Sequence, residues 1–396
     1  MNASRTERRP GPLSDVKVVD LTRVLAGPVC TMILGDMGAE VVKIDQPLPK
    51  GRVFPPGPPN PYNRNKKSIT LNLRADKGKG ILERLIRWGD VLVENYRPGV
   101  MKQMGFDYDA VHRINPGMVM TSISGYGQTG PYASRPAFDS VGQAVGGLMS
   151  VTGNAADGSP TDAGAAVCDI SSGIFGALGT VLALYQRKST GLGQYVESSL
   201  VESIVFLMGY SLSLFLNGEI SETDGLFSPK RTPGAGCFQA KSGGHIVIMA
   251  QTDQHWPILA GIIGRSDLAT APGYATRRQR EKHGEEIRDM IAAWVRTKTR
   301  DEVEATIEKA GIPFGRVQNM KDLLSDPHLK ARERFVELDY NGKAVPVVAP
   351  YPMLSDTPGS IRIEWPRPGE HNQEVYQGIL GFSQDELVAF ENEGVI

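Results

Sequence analysis

The chain has 396 residues, enough for two or three domain-sized units, and a formal net charge of -1. That balance gives no electrostatic basis for holding nucleic acid or an anionic membrane surface. Its three cysteines, Cys30, Cys168 and Cys237, lie far apart without CxxC spacing, and its six histidines form no ligand motif. The composition reads as a reduced, cytoplasmic protein with no disulfide framework and no bound metal.

Residues 1–10 are polar, lack the apolar stretch of a secretory signal and read as a frayed tail. A βαβ unit follows: a strand over 16–21, an apolar helix entered through Ala26-Gly-Pro28 and ended at Gly38, and a strand over 40–45. After a proline-rich loop come a strand over 68–73, a helix over 75–88 and a strand over 90–95. A further strand over 119–124 leads into Gly125-Tyr-Gly-Gln-Thr-Gly-Pro131. Alternating strands and helices predict an α/β fold with an open, mostly parallel sheet. Ligands of such sheets bind at the carboxyl ends of the strands, so the loops after Leu21, Glu94 and Ser124 form the candidate binding edge. The first βα turn lacks GxGxxG and no P-loop occurs, which argues against nicotinamide and flavin dinucleotides.

Two apolar stretches, 170–184 and 204–216, fall short of the roughly 20 residues that span a bilayer and read as buried helices. The polar segment 221–236 precedes a predicted hairpin over 236–250, turning at Ser242-Gly-Gly244, and helices over 256–263, 277–297 and 300–310. Short strands return from Pro327, and a helix starts at Gln384. This divides the chain into a large domain over 1–220, a smaller α+β domain over 221–326 and a segment over 327–396 that returns to the large domain.

Asp169 is the residue that suggests chemistry. It is a lone carboxylate in Gly164-Ala-Ala-Val-Cys-Asp169-Ile-Ser-Ser-Gly173, where small residues run into a predicted apolar helix over 170–185. A charge in such a setting needs a partner or a task. One reading is an N-cap; the other is a nucleophile kept ionised by the helix N-terminus.

Several segments together resemble the class III CoA-transferases, which include formyl-CoA and carnitine CoA-transferases and the related α-methylacyl-CoA racemases. They are Asp20-Leu-Thr-Arg-Val-Leu-Ala-Gly-Pro28, Gly35-Asp-Met-Gly-Ala-Glu-Val-Val-Lys-Ile44, Asn63-Arg-Asn-Lys-Lys-Ser-Ile69, Val93-Glu-Asn-Tyr-Arg-Pro-Gly99, the 125–131 loop, the Asp169 segment, Gly311-Ile-Pro-Phe-Gly315, Asp326-Pro327 and Gly369-Glu-His371. The likeness runs in order over nearly the whole chain. It implies a Rossmann-like large domain built from both chain ends, an inserted small domain and an interlocked homodimer. It also implies Asp169 as the catalytic carboxylate and coenzyme A as the substrate carrier, held by Val24, Leu25, Ala26, Leu71, Asn95, Tyr96, Met104 and Arg135. Gln46 and Gln103, which stand where relatives commonly have arginine, are further candidates for holding CoA. Phe138, Asp139, Gly234 and Gly236 are the candidates for substrate or oxyanion contacts.

The implied reaction moves CoA from a donor acyl-CoA, with succinyl-CoA a candidate, to a free carboxylic acid through aspartyl anhydride and aspartyl-CoA thioester intermediates. Leu25 replaces the glutamine of formyl-CoA transferases, which argues against formyl-CoA and oxalate. Arg52, Arg97, Arg135 and Lys230 are candidates for pairing a second substrate carboxylate. The alternative is an α-methylacyl-CoA racemase, but the pair Phe138-Asp139 lacks the histidine those enzymes carry before the aspartate. A non-catalytic CoA-binding protein is the third reading.

Overall fold

The computed structural model describes residues 10–48, 60–153, 159–222, 225, 228, 231–241 and 243–396. Strands β1 (Lys17–Asp20), β2 (Glu40–Asp45), β3 (Lys66–Thr70), β4 (Val91–Glu94), β5 (Val119–Ser124) and β6 (Tyr195–Ser199) form one sheet in the order β3-β2-β1-β4-β5-β6, all pairs parallel. The large parallel sheet expected from the alternating pattern is therefore present. The chain winds outward from β1 to β3, returns beside β1 as β4 and winds the other way. That reversal makes the crevice between the β1 and β4 loops the topological switch point.

Side-chain alternation along the strands supplies both faces. Val18, Val41, Val91, Val93 and Val119 bury with Cys30 and Leu34 of helix Ala26–Asp36 and Ala177 and Ala183 of helix Val167–Thr190. Val19, Leu21, Val42, Ile44 and Leu92 bury with Ile81, Leu82 and Leu85 of helix Asp76–Trp88 and Leu387 of helix Gln384–Asn392. β6 was not read from the sequence, since Tyr195-Val-Glu-Ser-Ser199 is a mostly polar edge strand. The strand predicted over 68–73 lies at Lys66–Thr70 instead, because Asn72 leaves the ladder and donates its N–H to Val395 O at 2.8 Å.

Contacts divide the chain into two compact units. The first comprises Met1–Met149, Asp162–Met208 and Glu333–Ile396, and the second Ser150–Thr161 and Gly209–Arg332. In the second, β7 (Ala235–Gln239), β8 (His245–Met249) and β9 (Phe314–Arg316) make an antiparallel sheet over a core containing Trp256, Ile287, Ile291 and Val303. The β7–β8 hairpin agrees with the sequence reading, and Gly243 takes φ +86° in its turn. The predicted helix over 277–297 is broken into Arg277–Arg280 and Gly284–Arg296. Arg280 is drawn wholly inside to donate to Tyr274 O, Ala275 O and Asp253. The first unit closes with the antiparallel pair β10 (Phe335–Tyr340) and β11 (Lys343–Val348).

Two apolar helices depart from the sequence reading. The stretch 204–216 is split into Leu200–Leu207 and Gly209–Leu216. Helix Val167–Thr190 has 24 residues rather than the shorter run predicted, and is long and apolar enough to cross a membrane by length and composition. One face packs on the sheet through Ala177, Ala183 and Leu184, while Ile174, Leu178, Val181, Leu182 and Tyr185 stay exposed.

Candidate active site

The switch-point loops rest on a buried charge network. Asp20, at the end of β1, and Lys66, at the start of β3, are both 0% exposed and pair at 3.0 Å. Asp20 also accepts the Thr22 N–H at 2.8 Å, the Thr22 hydroxyl at 2.6 Å and the Thr31 hydroxyl at 2.7 Å. Burial alone would raise the Asp20 pKa, but Lys66, Lys43 and the two hydroxyls outweigh it and hold the carboxyl below its ordinary range. Burial pushes the Lys66 ammonium down to about 8, against the attraction of Asp20. Lys43 donates to Thr22 O at 2.9 Å, so the chain turning out of β1 is held at main chain and side chain alike.

That anchoring supports a strained loop. Val24 sits at φ +66° with its side chain 66% exposed, an uncommon state for a β-branched residue. Asn95, just past β4, accepts the Arg23 N–H at 2.8 Å and returns a bond to Arg23 O at 2.8 Å. The Arg23 guanidinium lies 5.7 Å from the Tyr96 ring centre. Glu94 accepts the Tyr96 N–H at 2.7 Å, and burial pushes its carboxyl up to about 7. The β1 and β4 loops thus form one edge across the switch point.

Helix Val167–Thr190 delivers Asp169 to this edge. Gly173, one turn further on, lies so close to the loop that an added Cβ would stand 2.5 Å from Ala26 O. The N-cap of the helix is Ala166, which has no side-chain cap bond, so Asp169 lies inside the first turn and is not the N-cap. The missing cap comes from elsewhere: the Asp169 N–H donates to Asp139 Oδ1 at 3.0 Å. Asp139 opens helix Asp139–Val145, and its Oδ2 accepts a 2.6 Å bond from Gln143 Nε2, one turn along. Burial, and then the neighbouring Asp139 charge, push the Asp169 carboxyl up to about 6. Such a group is ionised at neutral pH and keeps the basicity that nucleophilic attack uses.

The other anticipated residues divide clearly. Leu25 and Ala26 begin the first helix, Gln46 is exposed after β2, and Gln103 and Met104 lie on helix Val100–Met104, Met104 packed on the core. Leu71 is 1% exposed inside that core and lies under the edge, presenting no side-chain surface. Arg135 is exposed and stacked 3.7 Å from the Tyr132 ring centre, and Phe138 is 70% exposed beside Asp139. Gly234 and Gly236 belong to the second unit, where Gly234 takes φ +90° and accepts the Ala250 N–H, and Gly236 pairs with Ile248. Arg97 is exposed, while Arg52 and Lys230 lie outside the described residues. Sequence reasoning missed Gln143, Glu94 and the Asp20–Lys66 pair. The i, i+4 spacing of Asp139 and Gln143 was the available signal for the first. Among the described residues, no group of three or more His, Cys, Asp or Glu is placed to hold a metal ion.

A doubly wound parallel sheet with a partly buried carboxylate at its switch-point edge has the arrangement of an α/β enzyme. Residues 13–372 match CoA-transferase family III, and the chain belongs to that family as a class III CoA-transferase. It is 36% identical over 411 residues to a succinyl-CoA–D-citramalate CoA-transferase of Chloroflexus aurantiacus, covering 99% of this chain and 100% of that protein. It is 34% identical over 417 residues to a formyl-CoA:oxalate CoA-transferase of Rhodopseudomonas palustris, covering 97% of each. The fold matches a CAIB/BAIF family protein from Brucella suis with TM-score 0.80 and 29% identity, over 93% of this chain and 100% of that one.

Proposed function

We propose that the enzyme transfers CoA from a donor acyl-CoA to a free carboxylic acid by covalent catalysis on Asp169, with a dicarboxylyl donor of the succinyl-CoA kind. The observation that carries this reading is the carboxylate itself: Asp169 sits partly buried in the first turn of a helix, at the edge, with its pKa raised to about 6. An Asp169 oxygen attacks the thioester carbonyl, the C–S bond breaks, and a mixed anhydride and CoA thiolate result. The thiolate attacks the aspartyl carbonyl, releasing the donor acid and leaving an aspartyl-CoA thioester. The acceptor carboxylate then displaces the thiolate to form a second anhydride, and the thiolate takes the acceptor acyl group and frees Asp169. Each intermediate preserves activation, so the cycle closes without ATP. The pantetheine arm would enter over the Val24, Leu25 and Ala26 loop and the Asn95–Tyr96 turn, the two sides of the switch point.

The working form is a homodimer in this reading. Ile174, Leu178, Val181, Leu182 and Tyr185 make an apolar stripe 40–76% exposed along one helix face, and Phe206 on helix Leu200–Leu207 adds to the exposed apolar surface at 72%.

Intact-mass analysis after incubation with a panel of acyl-CoAs and hydroxylamine tests the chemistry. An activated Asp169 is expected to convert to a hydroxamate, mapped to its peptide, with certain donors only. CoA binding without labelling by any donor would overturn the covalent route.

A further inference from the structure

Resting on the assignment of Asp169 as nucleophile, we propose that Gln143 is a positioning residue for the reaction. Its carboxamide fixes Asp139, and through Asp139 the placement and electrostatic surroundings of Asp169.

Gln143 is 1% exposed, and among the described residues its carboxamide makes three hydrogen bonds. Its Oε1 accepts the Ala163 N–H at 2.8 Å. Its Nε2 donates to Asp139 Oδ2 at 2.6 Å and to Ala165 O at 3.2 Å. A main-chain donor on one side and two acceptors on the other leave one orientation of the amide. Because the side chain is buried, a lost partner leaves a polar group unsatisfied at a cost, and that orientation is enforced.

The helix makes the clamp possible. Asp139 and Gln143 are four residues apart on helix Asp139–Val145 and so share the face turned to residues 163–169. Gly142 sets the distance, since a Cβ there would lie 2.8 Å from Cys168 Sγ. Gln143 thereby ties the segment before Asp169 to the acid that caps it, while Asp139 Oδ1 takes the Asp169 N–H at 3.0 Å. Held this way, the Asp139 charge stays beside Asp169, next to the helix N-terminus that both exploit.

Among the described residues, the other ionisable groups on the neighbouring elements are engaged or neutral, and Asp162, before the segment Gln143 holds, accepts the Gly164 N–H at 3.1 Å. Cys168, adjacent in the chain, and Cys30, on helix Ala26–Asp36, are buried thiols pushed up to about 12. Glu202 on helix Leu200–Leu207 bonds Ser199, and Glu197 on β6 bonds the Gln128 N–H. β5 contributes no ionisable side chain. Asp139 is therefore the charge that Gln143 controls with respect to Asp169.

The test compares full-length wild type, Gln143→Leu, Gln143→Glu and Asp169→Ala with succinyl-CoA and a panel of acids. For Gln143→Leu, kcat is expected to fall ~10–100-fold, the scale of a nucleophile misplaced by about 1 Å. KM for succinyl-CoA should stay within about twofold, because the switch-point loops are untouched. The acid limb of the kcat profile should move to lower pH, because Asp139 is free to turn away from Asp169; a purely structural residue would leave that limb in place. In Gln143→Glu the new carboxylate repels Asp139 until protonated, when it donates as the amide did. The ratio of its kcat to that of wild type should therefore rise as pH falls, and this decides the question if the leucine variant does not fold. A kcat and acid limb unchanged in Gln143→Leu, a loss confined to KM, or a flat ratio in Gln143→Glu would overturn the proposal. Transfer persisting in Asp169→Ala would instead remove the nucleophile assignment, so the two failures are distinguishable.

Discussion

Replacing Asp169 with asparagine should abolish transfer and at the same time stabilise the fold. The carboxyl is pushed from 3.8 up to about 6 by burial and by Asp139. A shift of about two units corresponds to ~3 kcal/mol against the ionised native state at neutral pH. Solvent screening of this partly exposed group reduces that to about 1–2 kcal/mol. The attraction of a carboxylate to the helix N-terminus offsets ~0.3–1 kcal/mol more. The asparagine variant should therefore gain about 1 kcal/mol at pH 7. The pH dependence carries the sign: between 3.8 and about 6 the unfolded chain ionises while the native residue stays protonated, so wild-type stability falls as pH rises through that window and levels off above it. Urea unfolding of both proteins at pH 7 and at pH 4, monitored by circular dichroism, reads the difference directly. The gain should be present at pH 7 and shrink at pH 4. An asparagine variant less stable than wild type at pH 7, or equally favoured at both values, would show that Asp169 is not held at a cost to the native state. Activity provides the companion measurement, since wild-type transfer should fall as pH drops through about 6.

Asn95→Ala removes both bonds to Arg23; losing about 1–2 kcal/mol of loop fixation should raise KM for the acyl-CoA ~5–30-fold, with a smaller change in kcat, in steady-state kinetics. Lys66→Met leaves Asp20 buried without its 3.0 Å partner and should cost about 3–5 kcal/mol in urea unfolding, part of which Asp20→Asn in the same chain restores. Gly142→Ala places a methyl 2.8 Å from Cys168 Sγ and 3.2 Å from Leu200 Cβ, so a loss of about 1–3 kcal/mol in thermal unfolding and a lower kcat are expected. Leu178→Glu together with Leu182→Glu puts charge into the apolar stripe and should shift the mass seen by light scattering from dimer to monomer; an unchanged dimer would place the interface elsewhere.

Much of this architecture was legible in the chain. The valine-rich runs of β1, β2 and β4 are buried on both faces, and Gly38 and Pro47 flank β2 as Gly89 and Asn95 flank β4, so local composition marks them as strands of a parallel sheet. Strand and helix in alternation then place Thr22, Asn95 and Gly125 at one edge, because a parallel sheet leaves all its strand ends on the same side. Asp169 stood out because a lone carboxylate in small, apolar text has no local partner. What the local text could not convey is which groups meet. Lys66 reads as an ordinary polar residue before a strand, and only the pairing of β3 beside β2 brings it to Asp20, 46 positions away, and buries both. The N-cap reading of Asp169 failed for the same reason: the helix begins at Val167, and its cap arrives from Asp139, 30 residues earlier. Periodicity and turn residues act through neighbours in the chain, so the sequence by itself determined most of the sheet and its edge, without β6, and singled out Asp169 as a candidate. Burial, charge pairing and the surroundings that raise the Asp169 pKa depend on residues distant in sequence and close in space, and those the tertiary structure alone decided.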